Sequence, residues 1–336
     1  MPETSPPDTD TVNGFHRLSP DQILDAVESL GWVADGCFLA LNSYENRVYQ
    51  VGIEDDEPVI AKFYRPDRWS NEAIREEHAF SLQLADVEIP VVAPLLDASG
   101  ESLHQHDVFR FALYPRRGGR TPELDDPEQL EVIGRFMARI HLSGEQSDFQ
   151  HRPSVDIESY GIETSTWLLG SGHLPMGLEQ AYSMLIDDLL AKIKDHFSAA
   201  GDFKMLRVHG DAHPGNLLWR EGQLHIVDFD DARMGPSVQD LWMFLSGDRQ
   251  FRTARLADVL EGYTQFRDFN PRELHLIEAL RTLRIIHYAV WLARRAEDPA
   301  FQQAFPWFYT AHFWDTHILT LKEQSAELDQ LPLIWD

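Results

Sequence analysis

His209-Gly210-Asp211-Ala212-His213-Pro214-Gly215-Asn216, followed twelve residues after Asn216 by Asp228 in Ile226-Val227-Asp228-Phe229-Asp230, is the stretch on which the reading of this chain turns. Its skeleton is carboxylate, carboxamide, carboxylate. Phosphoryl transfer from a nucleotide needs a base near the attacking hydroxyl and hard oxygen ligands for Mg²⁺, because charge on the transferring group must be neutralised during in-line displacement. An Asp and an Asn five residues apart on one loop can do both jobs, and a second Asp at the end of an apolar strand can reach the same ion across a short β-pair. Each residue alone reads as part of an ordinary surface turn. Jointly, after a β-rich region with a lone interior lysine, they point to phosphoryl transfer. His209 and His213 lie i, i+4 with Gly and Pro between them and no third nitrogen or thiolate nearby, which disfavours zinc. His209 is expected instead to hold the loop by packing and backbone hydrogen bonds.

Working outward, the chain has 336 residues, 43% apolar and 25% charged, the composition of a folded protein long enough for two lobes. Twenty-nine basic against 55 acidic residues leave a net charge of -26, which argues against a nucleic-acid partner. Cys37 is the single cysteine, so there is no internal disulfide framework and a reducing compartment is the simpler inference. Met1 to Asp10 is acidic, without a secretory h-region, and the apolar run Ile285 to Ala293 is about half of what a membrane-spanning helix needs. A cytoplasmic protein with no membrane partner is expected. Only five lysines occur, Lys62, Lys192, Lys194, Lys204 and Lys322, which makes each informative.

After a mobile tail over residues 1–13, Ser19 is placed to cap a helix with Ile23, Leu24, Val27 and Leu30 on its apolar face and Gly31 closing it. Phe38–Leu41, Arg47–Ile53 and Pro58–Tyr64 read as an antiparallel meander, and the segment from Trp69 or Ser70 to Leu84 as a helix. Val91–Leu95, Ser102–Gln105 and Val108–Leu113 read as further strands. The Pro- and Gly-punctuated stretch 114–122 reads as a hinge between a lobe over 14–113 and one over 123–336. Downstream, helices are expected over Pro127–Ser143, Glu179–Phe197, Val238–Leu245, Leu256–Phe266, Pro271–Arg295 and about Trp307–Glu327, with short strands at Leu217–Trp219 and Leu224–Val227. Trp242, Trp291, Trp307 and Trp314 fall among apolar helical positions and are expected in the core. Asp240 heads one of these helices, where the macrodipole favours a carboxylate. Asp230 and Asp231 read equally as supporting acids or solvated turn residues. Arg116-Arg117-Gly118-Gly119-Arg120 is either a solvated turn or a contact for phosphate.

The H-G-D-x-H-x-x-N loop resembles that of the aminoglycoside phosphotransferase and choline kinase superfamily, and the resemblance covers nearly the whole chain. More narrowly, Leu41-Asn42-Ser43-Tyr44-Glu45-Asn46-Arg47-Val48-Tyr49-Gln50, the Lys62-Phe63-Tyr64-Arg65-Pro66 segment and Pro236-Ser237-Val238-Gln239-Asp240-Leu241-Trp242-Met243 resemble the bacterial stress response kinase group of serine/threonine protein kinases. The late segments Trp291-Leu292-Ala293-Arg294-Arg295, Asp298-Pro299-Ala300-Phe301 and Phe305-Pro306-Trp307 fit as well.

The resemblance implies an α+β, protein-kinase-like fold of two lobes, β-rich then mainly helical, with ATP between them. It implies Asp211 as catalytic base, Asn216 and Asp228 as Mg²⁺ ligands with Asp228 also catalytic, and Ser43 in the loop over the nucleotide phosphates. Asp240 would anchor the catalytic-loop backbone. Lys62 would contact the α- and β-phosphates and pair with a Glu of the next helix. Glu77 is preferred to Glu76, since it shares a helical face with Phe80 and Leu84. The residues alone leave Lys62 open as a strand-edge lysine with its ammonium in water, and Ser43 and Asn46 as turn formers. No glycine occurs over Asn42 to Asn46, so the G-x-G-x-x-G cover of protein kinases is absent. The acceptor implied is a Ser or Thr hydroxyl of a protein, the enzyme acting as a monomer. The motif equally permits a small acceptor such as choline, an aminoglycoside or homoserine, and a pseudokinase-like binding module is disfavoured because every acid, amide and lysine position is filled.

Overall fold

Ser19 Oγ accepts the Gln22 amide proton at 3.3 Å while the Gln22 side chain accepts from Ser19 N–H at 3.1 Å, a reciprocal capping box that starts helix α1 (Pro20–Glu28). In this computed structural model the described residues are 15, 17–41 and 43–335, apart from the side chains at 299 and 300. The tail read over residues 1–13, and Asn42 of the loop quoted above, lie outside them. The chain forms two compact units: residues through Leu82 with Val92–Gly118, and Gln83–Val91 with the residues from Gly119 onward.

In the first unit β1 (Ala34–Leu41), β2 (Arg47–Ile53), β3 (Asp56–Phe63), β4 (His104–His106) and β5 (Phe109–Pro115) build one antiparallel sheet in the order β1-β2-β3-β5-β4, with helix α2 (Asn71–Asp86) between β3 and β4 in the chain. The period of two sends alternate residues of β3 to opposite faces of the sheet. Val59, Ala61 and Phe63 pack with Ile23, Ala26 and Val27 of α1 and with Phe109 and Phe111, the Phe63 and Phe111 rings stacking 5.5 Å apart. Ala112, the cross-strand partner of Lys62, joins the other cluster, with Tyr64, Leu103 and Ile74 of α2. Lys62 therefore belongs to the α2 side, although the strand around it is apolar. Val91–Leu95 is not a strand: Pro90 and Pro94 remove backbone donors, and Val91 makes one parallel bridge to Ile226.

The second unit holds α3 (Pro127–Gly144), α4 (Glu163–Ser171), α5 (Glu179–Ala200), the hairpin β7 (Leu217–Arg220) and β8 (Gln223–Ile226), and the pair β6 (Leu206–Val208) with β9 (Arg233–Gly235). Helices α6 (Arg249–Tyr263), α7 (Leu276–Ala293), α8 (Pro299–Ala304) and α9 (Ala311–Leu328) follow. Helices α3 and α6 approach closely because of two glycines. A Cβ on Gly134 would sit 2.0 Å from the Val259 carbonyl oxygen, and one on Gly262 1.9 Å from that of Glu131.

Several expected elements shift for identifiable reasons. Helix α6 begins at Arg249, well before the apolar period at Leu256, because Asp248 caps it by accepting the Phe251 amide proton at 2.9 Å. The helix read over Val238–Leu245 is instead two 3₁₀ turns, Ser237–Asp240 and Trp242–Phe244. Its first amide, Val238 N–H, donates to the buried Glu273 carboxylate at 2.9 Å. Trp242 and Trp314 are buried, whereas Trp307 is 42% exposed. No helix among the described residues is long and apolar enough to cross a membrane.

Candidate active site

The loop after β6 hangs from one carboxylate. Asp240, fully buried, accepts the backbone protons of His209 at 2.7 Å and Gly210 at 2.8 Å, and its Oδ2 also pairs with His141 Nε2 at 3.1 Å. His141 Nδ1 meets the Tyr263 hydroxyl at 2.8 Å, so the support reaches from α3 to α6. Gln239 Nε2 donates to the Gly210 carbonyl at 2.9 Å. Gly210 itself has φ 82°, and a Cβ there would lie 2.2 Å from the Asp231 carbonyl oxygen, so no other residue fits this turn without displacing backbone. Asp240 thus spends its charge on the loop rather than on a helix dipole.

His209 Nε2 donates to the Val227 carbonyl at 2.9 Å, and its Nδ1 accepts the Asp211 amide proton at 3.3 Å, which sets a neutral Nε2–H tautomer and ties the loop to the end of β8. The β7–β8 hairpin then pairs the residue before the second acid with the amide residue's backbone: Leu217 pairs with Ile226, and Val227 N–H donates to the Asn216 carbonyl at 3.0 Å. Asp228 adopts a left-handed conformation, φ 63° and ψ 68°. A non-glycine residue there costs about 1–3 kcal/mol and persists only where its surroundings over-determine it, as the ties on both sides of Val227 do.

Asn216 is 9% exposed, and its Nδ2 donates to the Asp211 carbonyl at 2.9 Å, so the amide turns its oxygen, a hard ligand, away from that bond. Among the described residues no group of three or more His, Cys, Asp or Glu converges on a metal position. An amide oxygen with a carboxylate at the end of a neighbouring strand is the sparse donor set that suits Mg²⁺, which keeps waters and substrate phosphates as most of its ligands. The residues present therefore fit that ion.

Asp211 has an uneven pair of carboxylate oxygens. Arg284 Nη1, from α7, stands 2.6 Å from Oδ1, an ion pair by distance whose angle falls outside that of a directed hydrogen bond. Oδ2 faces His213 Nε2 at 3.7 Å. His213 Nδ1 accepts the Gly215 amide proton at 2.9 Å, and burial holds this imidazole below the usual histidine range, opposed by the Asp211 charge. Asp231 is not a solvated turn residue, since Arg233 donates to its carboxylate at 2.7 Å, and Asp230 is buried at 4% exposure.

In the first unit Lys62, 7% exposed, has its Nζ 3.8 Å from Glu77 Oε1, and Glu77 is 2% exposed, whereas Glu76 is half-buried. Ser43 is half-buried in the loop between β1 and β2. That loop is braced without glycine: Arg65 Nε donates to the Glu45 carbonyl at 2.9 Å, Arg65 Nη2 to that of Tyr44 at 3.2 Å, and Asn46 Oδ1 accepts the Arg65 amide proton at 3.0 Å. The sequence reading overlooked His141, Tyr263, Glu273 and Arg284. Arg284 carried a signal, a cation interrupting the apolar run Leu283 to Ile286; a buried histidine on an apolar helix face, such as His141, carries none. In the basic stretch, Arg116 Nε bonds Gln50 at 2.9 Å and Arg120 pairs with Glu123 at 2.9 Å, both exposed.

The profile of the phosphotransferase enzyme family matches residues 38–277. The chain belongs to that family. It is also 43% identical over 319 residues to stress response kinase A of Escherichia coli, covering 95% of this chain and 96% of that one. To the serine/threonine protein kinase RdoA of Salmonella typhimurium it is 41% identical over 324 residues, 96% of this chain and 98% of that one. Among solved structures, an amicoumacin kinase bound to AMP-PNP and Ca²⁺ superposes with a TM-score of 0.70 at 20% identity, over 93% and 94% of the two chains. A spectinomycin phosphotransferase gives 0.66 at 16% identity, over 93% and 98%. The fold class is thus the kinase-like α+β fold, and the chain is a phosphotransferase.

Proposed function

We propose that this phosphotransferase is an ATP-dependent serine/threonine protein kinase of the stress response type. The observation that supports this reading is the suspended loop, in which Asn216 commits its NH₂ to the Asp211 carbonyl and so leaves its oxygen turned away from that bond, with Asp228 held in a left-handed conformation just past the strand that pairs with the segment after Asn216. The choice of a protein acceptor rests on the likeness to the two named kinases at 41–43% identity over nearly full length.

In this reading Asp211 orients a Ser or Thr hydroxyl and takes its proton as the oxygen bonds to the γ-phosphorus; the bond to the bridging oxygen breaks and its electron pair leaves with ADP. Asn216 and Asp228 would hold Mg²⁺, which supplies positive charge against the phosphate oxygens when bound. Lys62, kept extended by Glu77, would hold the α- and β-phosphates, and Ser43 with its braced loop would donate hydrogen bonds to phosphate oxygens. A cytoplasmic site of action and a monomeric state belong to the same reading.

The test is label transfer from γ-labelled ATP with Mg²⁺, using the protein alone, with mixed histones, and with a panel of amino alcohols and aminoglycosides. Label on Ser or Thr supports the proposal. Label confined to a small molecule overturns the acceptor class, and label on nothing overturns catalysis. For Lys62→Ala, kcat/KM for ATP should fall ~100-fold from a misplaced triphosphate, read by steady-state kinetics. Wild-type ATP affinity together with wild-type rate would remove Lys62 from the site.

A further inference from the structure

We propose that Arg284 is a positioning residue for the transfer step: it claims one oxygen of the Asp211 carboxylate and so presents the other to the acceptor hydroxyl. The inference rests on Asp211 being the base. The backbone of Asp211 is already immobile, its N–H on His209 Nδ1 at 3.3 Å and its carbonyl on Asn216 Nδ2 at 2.9 Å. What those bonds leave undetermined is rotation of the carboxylate about its own axis, which decides the oxygen that meets the substrate. Arg284 Nη1, 2.6 Å from Oδ1, removes that freedom, while His213 Nε2, 3.7 Å from Oδ2, is beyond hydrogen-bond reach and leaves that oxygen able to accept a proton.

The anchor of Arg284 is rigid. Its neighbours on α7, Leu283 and Ile286, are fully buried, so the guanidinium projects from a fixed helix rather than a loop. The Arg284 side chain is 41% exposed and that of Asp211 20%, and ion pairs so exposed contribute little to stability. A cation in an apolar helical run, aimed at the base and adding little to the fold, is accounted for by the reaction. The loop from His209 to Asn216 contains no Lys or Arg of its own, so a guanidinium beside the base has to come from another element.

Arg284→Gln should lower kcat for label transfer to mixed histones, or to the kinase's own hydroxyls, ~100-fold, as misplacement of a reacting group does. The KM for ATP should stay within about twofold, because ground-state nucleotide contacts are untouched. Arg284→Lys, which keeps the charge but not the planar fork, should recover to within about tenfold of wild type. Added guanidinium ion should partly rescue Arg284→Gln and leave the wild type unchanged. Wild-type kcat in Arg284→Gln, equal loss in the Gln and Lys variants without rescue, or a raised KM for ATP at constant kcat would each overturn the proposal. Asp211→Ala, assayed in parallel, separates the two readings. If it transfers normally, the base assignment falls; if it is inactive while Arg284→Gln is normal, only the role of Arg284 falls.

Discussion

Asp211→Ala is expected to lower phosphoryl transfer by about 10³-fold or more while leaving the folded protein and its ATP affinity intact, the upper range for loss of a general base. The reason lies in what the side chain does not do. The bonds holding the loop are made by the Asp211 amide and carbonyl, by His209 and by Asp240, and all of them survive truncation of the Asp211 carboxylate. The cost in stability is limited to the partly exposed contact with Arg284, about 0–1 kcal/mol. Label transfer with calorimetric ATP binding in the same sample checks this. Turnover at the wild-type rate would remove Asp211 from the chemistry, and loss of binding along with turnover would make it structural.

Asp240→Ala is expected to act the opposite way, through the fold. Its carboxylate, wholly buried, is the acceptor for His209 N–H, Gly210 N–H and His141 Nε2. Without it, two backbone donors and an imidazole face a dry cavity, and each unsatisfied buried donor costs ~1–3 kcal/mol. The variant should lose about 3–5 kcal/mol, within the range for breaking one side of a buried polar pair and large against a total stability of ~5–15 kcal/mol. Asp240→Asn does not repair it, because one oxygen must be exchanged for an NH₂ that meets donors. Denaturant midpoints for both variants, with transfer rates measured well below those midpoints, give the check. A wild-type midpoint in Asp240→Ala would show that the loop does not hang from this residue.

The two variants also mark how legible the site was. The candidate residues Asp211, Asn216 and Asp228 could be picked out because they cluster in one short stretch at spacings that suit phosphoryl transfer. Lys62 was legible for another reason: an ammonium inside an apolar strand is an anomaly that period-two sorting turns into a position, on the side of the sheet that α2 covers. By the same logic Arg284, inside an apolar helix, was readable and was passed over. His141, Tyr263 and Glu273 were not, since each sits on a helix or turn with nothing local to distinguish it from an ordinary core residue. Their roles arise from bonds across long stretches of chain, such as His141 to Asp240 or Ser237 to Glu273 at 2.7 Å.

Sequence alone determined the α+β fold class, the capping of α1 at Ser19, and the residue types available for moving a phosphoryl group, because period, caps and composition are local properties of the chain. Only the tertiary structure decided that Val238–Leu245 breaks into 3₁₀ turns, that Asp240, offered as a loop anchor by the resemblance and as a helix-end acid by its position, gives its carboxylate to the loop amides, and that Arg284 stands against Asp211. In each case a distant group competes for the same donor or charge: Glu273 takes the first amide of the expected helix, and the loop amides take Asp240. Hydrogen bonds and ion pairs of that kind are set by which elements pack together, and packing is not a local property.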